Sequence, residues 1–335
     1  MPGLLTEKTW NRIERTSVTG VYNPLNSCRS AIWHVKDALI SGDGAWTVVG
    51  SCDGSTYGMD AVDRWVGYGD LVYGSNRSWI VLQQSGMGSS FAQLCLFTTS
   101  NTNYTTLYMY WSEDVAFTGG DTTTAPSASG QLTLCNNTND WIGFASSGYT
   151  TNYRINVYKT SDGSCTRVIF GRVQGPYLLS GWMFDTIKNP VSWLDHSSVV
   201  GLVKKGTGDA WGRSHLFDDE NPIARLYAHA ATPGWMDCGV AIPGMRIEAG
   251  NFVPICDQTI YQSAGLDSRF AVCPVGIRSI DVVATGRLGD MYDFYAVPAA
   301  LTDGQSLLNG NGDDHYFHVI GAWAIGDDGT SVSYY

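Results

Sequence analysis

The chain contains very few of the residues that normally cover the exposed faces of α-helices. Only five Glu and six Lys occur among its 335 residues, although these residue types fill many surface positions of ordinary helices. Gly (39 residues), Tyr (18) and Trp (12) are abundant instead, as is typical of strands joined by tight turns. The composition therefore predicts an all-β protein.

The charge balance excludes some classes of partner. The formal net charge is −11, and 44% of the residues are hydrophobic, which indicates a globular chain. Nucleic-acid binding needs clustered Lys and Arg to neutralise phosphates, and the only adjacent basic pair is Lys204–Lys205. We therefore expect no nucleic-acid partner. An anionic membrane surface is disfavoured for the same reason.

The N-terminal residues and the cysteines predict a protein made and kept in a reducing cytosol. The chain begins without an apolar signal core, and no apolar run reaches the roughly 18 residues of a spanning helix. None of the eight cysteines forms a CxxC pair, which disfavours a zinc site. We expect reduced, buried cysteines that act as small apolar side chains.

Segments rich in β-branched and aromatic residues, bounded by Gly, Ser, Asn or Asp, follow one another closely and predict strands. They are 45–50, 78–83, 93–98, 104–111, 153–159, 165–170, 198–203, 224–228, 280–284 and 318–323. Asp162-Gly163 predicts a hairpin turn between two of them. This spacing suits β-sandwich or jelly-roll-like bodies and leaves no room for βαβ units.

One helix and two bodies complete the predicted organisation. Thr6 can cap a short helix over 6–15, in which Trp10 and Ile13 share a face. We predict an N-terminal arm over 1–40, a first β-rich body over 41–175 and a second over 176–335, because the composition changes from Gly175-Pro176 onward. The two bodies could also form one domain.

The sequence contains no close match to several motifs of known chemistry. Lys205–Gly208 lacks the glycine spacing of a phosphate-binding loop, and Gly54–Gly58 has Thr where a serine nucleophile elbow needs Ser. Asp53–Asp60 does not have the spacing of a calcium loop. His315 and His318 would point to opposite faces of a strand, so a shared metal site is not expected. We predict no metal and no cofactor.

Glycoside hydrolysis needs two carboxyl groups that face each other across the sugar. The candidates are Glu113-Asp114, Asp218–Glu220 and Asp313-Asp314. The last two read as solvated turns, and 26 of the 31 acidic residues are Asp, so chance pairs are expected. We therefore predict that the protein is not an enzyme and assign no catalytic residue.

The aromatic residues have two interpretations. Inside apolar strands they fill the core, as expected for Trp46, Trp79 and Trp323. On the surface they would stack on sugars or anchor protein interfaces. We favour the core for most of them and an interface for a minority.

Several turn-and-strand segments resemble an arrangement that recurs in virion proteins of tailed bacteriophages. They are Gly44–Gly54, Asp63–Trp65, Asn76–Leu82, Phe117–Gly120, Ala125–Ala128, Gly286–Asp293, His318–Trp323 and Asp328-Gly329. The resemblance extends from about residue 25 onward. It implies a β-rich structural component of the capsid, neck or tail, without catalytic residues to carry over.

The resemblance also implies partners and a place. We expect copies of the same chain, assembled as a homo-oligomer, and other virion proteins, with the chain made in the bacterial host cytoplasm and incorporated into the virion. Acidic net charge would keep free subunits apart before assembly, and closed symmetry is the usual end state of such subunits. The alternative is a carbohydrate-binding adhesin at the tail tip that recognises a host-surface glycan.

Overall fold

The computed structural model describes 19 segments of the chain. They are residues 7–16, 27–42, 45–66, 77–84, 91–98, 106–138, 153–172, 180–189, 198–204, 223–228, 234–241, 245–248, 251–254, 273–279, 287–296, 306–308, 316–320, 323–327 and 331–334. Strands predominate in them, so the predicted β class is confirmed. Within these segments no helix is both long and apolar enough to cross a membrane.

The elements follow one another as strands, with one α-helix among the described residues. In chain order they are β1 (Trp10–Thr16), α1 (Ser27–Ile40), β2 (Trp46–Cys52), β3 (Tyr57–Gly58), β4 (Trp79–Gln84), β5 (Ala92–Thr98), β6 (Thr106–Glu113), β7 (Leu132–Thr138), β8 (Tyr153–Thr160), β9 (Cys165–Arg172), β10 (Ser180–Lys188), β11 (Ser198–Lys204), β12 (Ile223–Ala228), β13 (Gly234–Ala241), β14 (Met245–Glu248), β15 (Asn251–Pro254), β16 (Cys273–Ser279), β17 (Arg287–Ala296), β18 (Ser306–Leu308), β19 (Tyr316–Ile320), β20 (Trp323–Asp327) and β21 (Ser331–Tyr334).

The chain divides into two compact units. The first unit contains residues 11–175, 206–210 and 331–335, and the second contains 1–10, 176–205 and 211–330. The predicted division into an N-terminal arm over 1–40 and two bodies over 41–175 and 176–335 stays a prediction.

The first unit contains a six-stranded antiparallel sheet in the order β3-β2-β4-β5-β6-β7. Residues directly opposite each other on adjacent strands share a face. Leu82 lies opposite Leu94, which lies opposite Trp111, and this set forms one apolar face. Trp79 and Phe97 lie opposite each other on the other face. Since both faces are apolar, both must be covered.

The face with Leu82 is covered by α1 and by the hairpin of β8 and β9. Trp46 is buried in this layer, 6.4 Å from Trp111 between ring centroids. Its Nε1 donates to Thr166 Oγ1 of β9 at 2.9 Å. Gln84 Nε2 donates to the carbonyl oxygen of Gly163, in the β8–β9 turn, at 2.8 Å. These bonds satisfy polar atoms that burial would otherwise make costly.

The helix α1 is held at its C-terminal end by a buried lysine. Lys159 of β8 donates through Nζ to the carbonyl oxygen of Leu39 at 3.0 Å and to that of Ser41. The last carbonyls of a helix lack partners within the helix and carry partial negative charge. Lys159 therefore compensates its own burial with these acceptors.

The other face of the sheet has its own core. The buried residues are Cys52, Trp79, Val81, Cys95, Phe97 and Phe117, and Met59, Ala125 and Ala128 pack against them. Met59 belongs to the β2–β4 connection, and the last two belong to the β6–β7 connection. These connections therefore cover the sheet instead of extending away from it.

The second unit is also antiparallel. The order β18-β19-β20-β17-β16-β13-β12-β11-β10 is continued by a pairing of β17 with β10, which places Met291 opposite Ile187. β17 lies inside this strand order and β10 lies at its end, so the sheet curls until these two strands pair. β14 and β15 form a separate hairpin.

Buried Asp293 accepts hydrogen bonds from Glu7 N, Lys8 N and Trp10 Nε1 at 2.7–2.9 Å.

The helix predicted over 6–15 is wrong. Residues 10–16 form strand β1, which runs parallel to β21, with Arg12 opposite Ser331 and Ile13 opposite Val332. Trp, Asn, Ile and Thr have no strong helix preference. β1 lies between β8 and β21 in the sheet. Pairing with these distant strands decides the conformation, and local sequence carries no sign of it.

The helix that does form, α1, was not predicted. Its buried residues Ile32, Val35, Ala38 and Leu39 recur at helical spacing, so the signal was available. Segment 318–323 is also corrected, because β19 and β20 pair with Ile320 opposite Trp323 and the chain reverses within it.

The remaining strand predictions are confirmed within one or two residues, except 280–284, which lies outside the described residues. The Asp162-Gly163 turn is confirmed, since Gly163 N donates to the Thr160 carbonyl oxygen at 3.0 Å. Cys52, Cys95 and Cys165 are buried and reduced, as expected.

Gly120 tests the packing of the β6–β7 connection. Its φ is +91°, and a Cβ there would lie 2.7 Å from Pro126 Cγ and 3.0 Å from Trp79 Cζ2. Gly120→Ala is expected to lower the free energy of unfolding by about 2–4 kcal/mol, from backbone strain plus overpacking. Gly119→Ala is the matched control, because its φ is +71° but nothing lies near its Cβ. Equal losses in urea unfolding would contradict the packing argument.

His34 on α1 gives the first unit a pH dependence. Burial, then the nearby charge of Arg15, lowers its pKa from 6.5 to about 4, and Asp37 opposes this. The folded state thus keeps His34 neutral while the unfolded chain gains a proton below pH 6.5. Stability is lost as pH falls from about 6.5 to about 4, by roughly 3 kcal/mol. His34→Gln should remove this part of the loss in unfolding titrations at pH 7 and pH 4. If the free energy of unfolding fell equally between pH 7 and pH 4 in the native chain and in the His34→Gln variant, the assignment to His34 would be wrong.

Candidate functional site

The connection that follows β2 displays large apolar side chains to solvent. Residues 53–66, here called the 53–66 loop, include Tyr57 and Val62, each 49% exposed, and Val66, 75% exposed. Single exposed apolar residues are ordinary on protein surfaces. Here three of them lie on one short loop, whose conformation is held by the contacts that follow.

The start of the loop is a turn organised by one carboxylate. Asp53 Oδ1 accepts hydrogen bonds from Ser55 N at 2.7 Å, Ser55 Oγ at 3.0 Å and Thr56 N at 2.8 Å. An Asp side chain that bonds backbone N–H groups two and three residues on is a common turn former. The turn brings Tyr57 opposite Cys52 as the short strand β3.

The middle of the loop is fixed against β2. Ser51 Oγ donates to the Val62 carbonyl oxygen at 2.7 Å and accepts from Arg64 N at 2.9 Å. Ala61 N donates to the Val49 carbonyl oxygen at 2.9 Å. Ala61 has φ of +60°, a conformation that costs a non-glycine residue energy and persists only where its surroundings enforce it. The hydrogen bonds around it supply that constraint.

An exposed ion pair joins two positions of the loop. Arg64 donates to Asp60 through Nη1 to Oδ1 at 2.9 Å and through Nη2 to Oδ2 at 2.7 Å. The hydrogen bonds from Arg64 are the main reason that the pKa of Asp60 is lowered to about 2. Two parallel bonds fix the relative orientation of both groups, which matters here more than the energy of an exposed pair.

The end of the loop is anchored in the core. Trp65 is fully buried, and its Nε1 donates to the Cys52 carbonyl oxygen at 2.8 Å. Its own carbonyl oxygen accepts from Trp33 Nε1 at 3.0 Å and from Lys36 Nζ at 2.7 Å. Lys36 is buried and also contacts Asp63 Oδ2 at 2.7 Å. Helix α1 therefore fastens the loop beside its most exposed residue, Val66.

The loop is thus held in one conformation by hydrogen bonds while it exposes Tyr57, Val62 and Val66 to solvent. The carboxylates of Asp53, Asp60 and Asp63 all accept bonds within the loop or from α1. A surface that is already rigid loses little conformational entropy when a partner covers it. The arrangement is suited to noncovalent protein contact.

The residues considered for chemistry do not form a catalytic pair where they are described. Glu113 is buried and accepts from Trp111 Nε1 at 3.1 Å, whereas Asp114 is exposed and accepts from Phe91 N at 3.3 Å. The two carboxyl groups therefore do not face a shared groove. The pairs at 218–220 and 313–314, the segment 205–208 and His315 lie outside the described residues.

In the part of the chain that the structure describes, no group of three or more His, Cys, Asp or Glu side chains could hold a metal ion. Asp53 and Asp60 instead serve the turn and Arg64.

Trp46 and Trp79 are buried, which confirms their core role, while the Trp323 side chain is not described.

Sequence reasoning did not find Tyr57, Val62 or Val66 as surface residues. The segments that carried the resemblance, 44–54 and 63–65, lie on either side of the first two. Exposure in a turn-rich segment has no periodic pattern, so the sequence holds no direct signal for it. The nearest available sign was the scatter of apolar residues among turn formers in this segment.

Comparison of the chain with models of known protein families finds no match, and comparison with curated proteins finds no significant match.

Proposed function

We propose that the chain is a structural component of a tailed-bacteriophage virion that assembles with copies of itself and with other virion proteins. The observation that carries this proposal is the preorganised 53–66 loop with its exposed apolar side chains. The resemblance supplies the virion location on the capsid, neck or tail. The protein is non-catalytic, and its β-rich bodies are of the sandwich or jelly-roll type.

The energetics of assembly support this role. Completing the burial of one half-exposed Val or Tyr side chain contributes on the order of 1 kcal/mol. Three such side chains in each contact give a modest term, which closed symmetry repeats in every subunit. The net charge of −11 opposes premature association of free subunits. Weak, repeated contacts suit a component that stays separate until it is incorporated.

Quantitative mass spectrometry of purified particles tests the role. A structural component should be present in many copies, in a fixed ratio to the major capsid protein. Absence of the chain from particles would overturn the proposal. A few copies at the tail tip, together with binding to host-surface glycan, would favour the alternative adhesin.

A further inference from the structure

A cluster of one arginine and three aromatic rings lies on the face of the six-stranded sheet that carries Trp79. Phe97 of β5 stacks on Tyr108 of β6 with ring centroids 4.7 Å apart and planes 8° apart. Tyr110, two residues further along β6, meets Phe97 edge-on at 5.0 Å. The Arg77 guanidinium lies over the Phe97 ring, 5.8 Å from its centroid. Arg77, Tyr108 and Tyr110 are all partly exposed.

The position of Arg77 is fixed through its backbone. Its N donates to the Thr122 carbonyl oxygen at 2.8 Å, and its carbonyl oxygen accepts from Cys52 Sγ at 3.4 Å. The side chain is therefore held over Phe97 by two neighbouring segments and by the ring itself. A guanidinium that stacks on an aromatic ring still has its edge available for hydrogen bonding.

The hydrogen-bonding capacity of Arg77 is not used up by the described residues. Its Nε is buried and has no hydrogen-bond partner among them. Every Arg has five N–H donors in a planar fork, which matches the two oxygens of a carboxylate. This nitrogen is closed to solvent, whereas Arg77 as a residue is partly exposed, so a ligand would meet the exposed part of the fork and not Nε.

The two tyrosines add an apolar platform with polar edges. They are two residues apart on one strand and so lie on the same face, about 7 Å apart. Burial, then Cys95 and Tyr108, raises the pKa of Tyr110, with Arg77 acting in the opposite direction. The Tyr110 hydroxyl therefore remains a hydrogen-bond donor at neutral pH. Aromatic faces with hydroxyl groups at their edges suit a ring that is apolar on its face and polar around it.

We propose that Arg77, Tyr108 and Tyr110 form a binding site for a saccharide that bears a carboxylate. The carboxylate takes the guanidinium edge of Arg77, and the sugar ring lies against the tyrosine rings. The observations behind this site do not involve the 53–66 loop, so the site does not depend on the assembly role proposed for that loop. A chain that binds acidic glycan and is also present in many copies is consistent with both.

Titration of the purified full chain with oligogalacturonate and oligosialic acid, each compared with its methyl ester, tests the site. At least one acid should bind, and its ester should bind at least about tenfold more weakly, as expected for loss of a charged hydrogen bond. Failure of both acids to bind, or equal binding of acid and ester, would overturn the proposal. Binding of oligoglutamate as tight as that of the sugars would indicate an acidic peptide ligand instead, and would also overturn it.

Variants locate the binding on this cluster. Arg77→Gln should remove the preference for acid over ester, and Arg77→Lys should restore only part of it because an ammonium lacks the planar fork. Lys188→Gln in the second unit, where Lys188 pairs with Glu7, removes the same charge and should bind like the native chain. Native binding by Arg77→Gln would exclude this site. If that variant does not fold, the acid and ester comparison on the native chain still decides, and Tyr110→Phe should weaken binding several-fold.

Discussion

Replacing Trp65 with Ala should lower the free energy of unfolding of the first unit by about 3–5 kcal/mol. The side chain is completely buried, and its indole nitrogen bonds the carbonyl oxygen of Cys52. Truncation leaves a cavity and removes a buried hydrogen bond at the point where the loop enters the core. Urea unfolding followed by circular dichroism measures the loss.

Two variants separate the causes of that loss. Trp65→Phe keeps most of the apolar volume but removes the hydrogen bond, so it should cost about 1–3 kcal/mol. Val66→Ala changes the adjacent exposed side chain and should stay within about 0.5 kcal/mol of the native chain. A Trp65→Ala protein as stable as Val66→Ala would show that the loop is not anchored through this residue.

The double change Val62→Asp and Val66→Asp should weaken self-association at least about 100-fold, because it places unpaired carboxylates in an apolar contact. Both side chains are exposed in the free chain, so stability should be nearly unchanged. Sedimentation velocity over a concentration series measures the association, and incorporation into particles measures its consequence.

A third exposed valine provides the matched control. Val115 lies on the β6–β7 connection and is 38% exposed. Val115→Asp adds one carboxylate outside the 53–66 loop, half the charge of the double variant, and should assemble like the native chain. If Val115→Asp disrupts assembly as strongly as the double variant, the effect is one of net charge and the loop is not the contact surface.

The loop and its anchor make these two predictions complementary. Loss of Trp65 should reduce both stability and assembly, since Tyr57, Val62 and Val66 are presented only while the loop is held. Loss of the exposed valines should reduce assembly alone. A surface that contributes little to folding but much to association is what a subunit contact requires.

Local sequence determined the β class of this protein and the position of most of its strands. The chain has few Glu and Lys residues to cover the exposed faces of helices. Runs of β-branched and aromatic residues between turn formers predict strands. The Asp162-Gly163 turn follows from the conformational freedom of glycine, whose φ here is +71°. Each of these signals acts between residues that are neighbours in the chain.

Tertiary structure decided what depends on distant residues. Segment 10–16 is a strand because it pairs with both β8 and β21, although its own pattern suggested a helix. Tyr57 and Val62 are exposed because Ser51, Lys36 and Trp65 hold the loop that carries them. Arg77, Phe97 and Tyr108 meet across separate strands and a connection. Such proximity arises from pairing and burial, for which a single sequence contains no local signal.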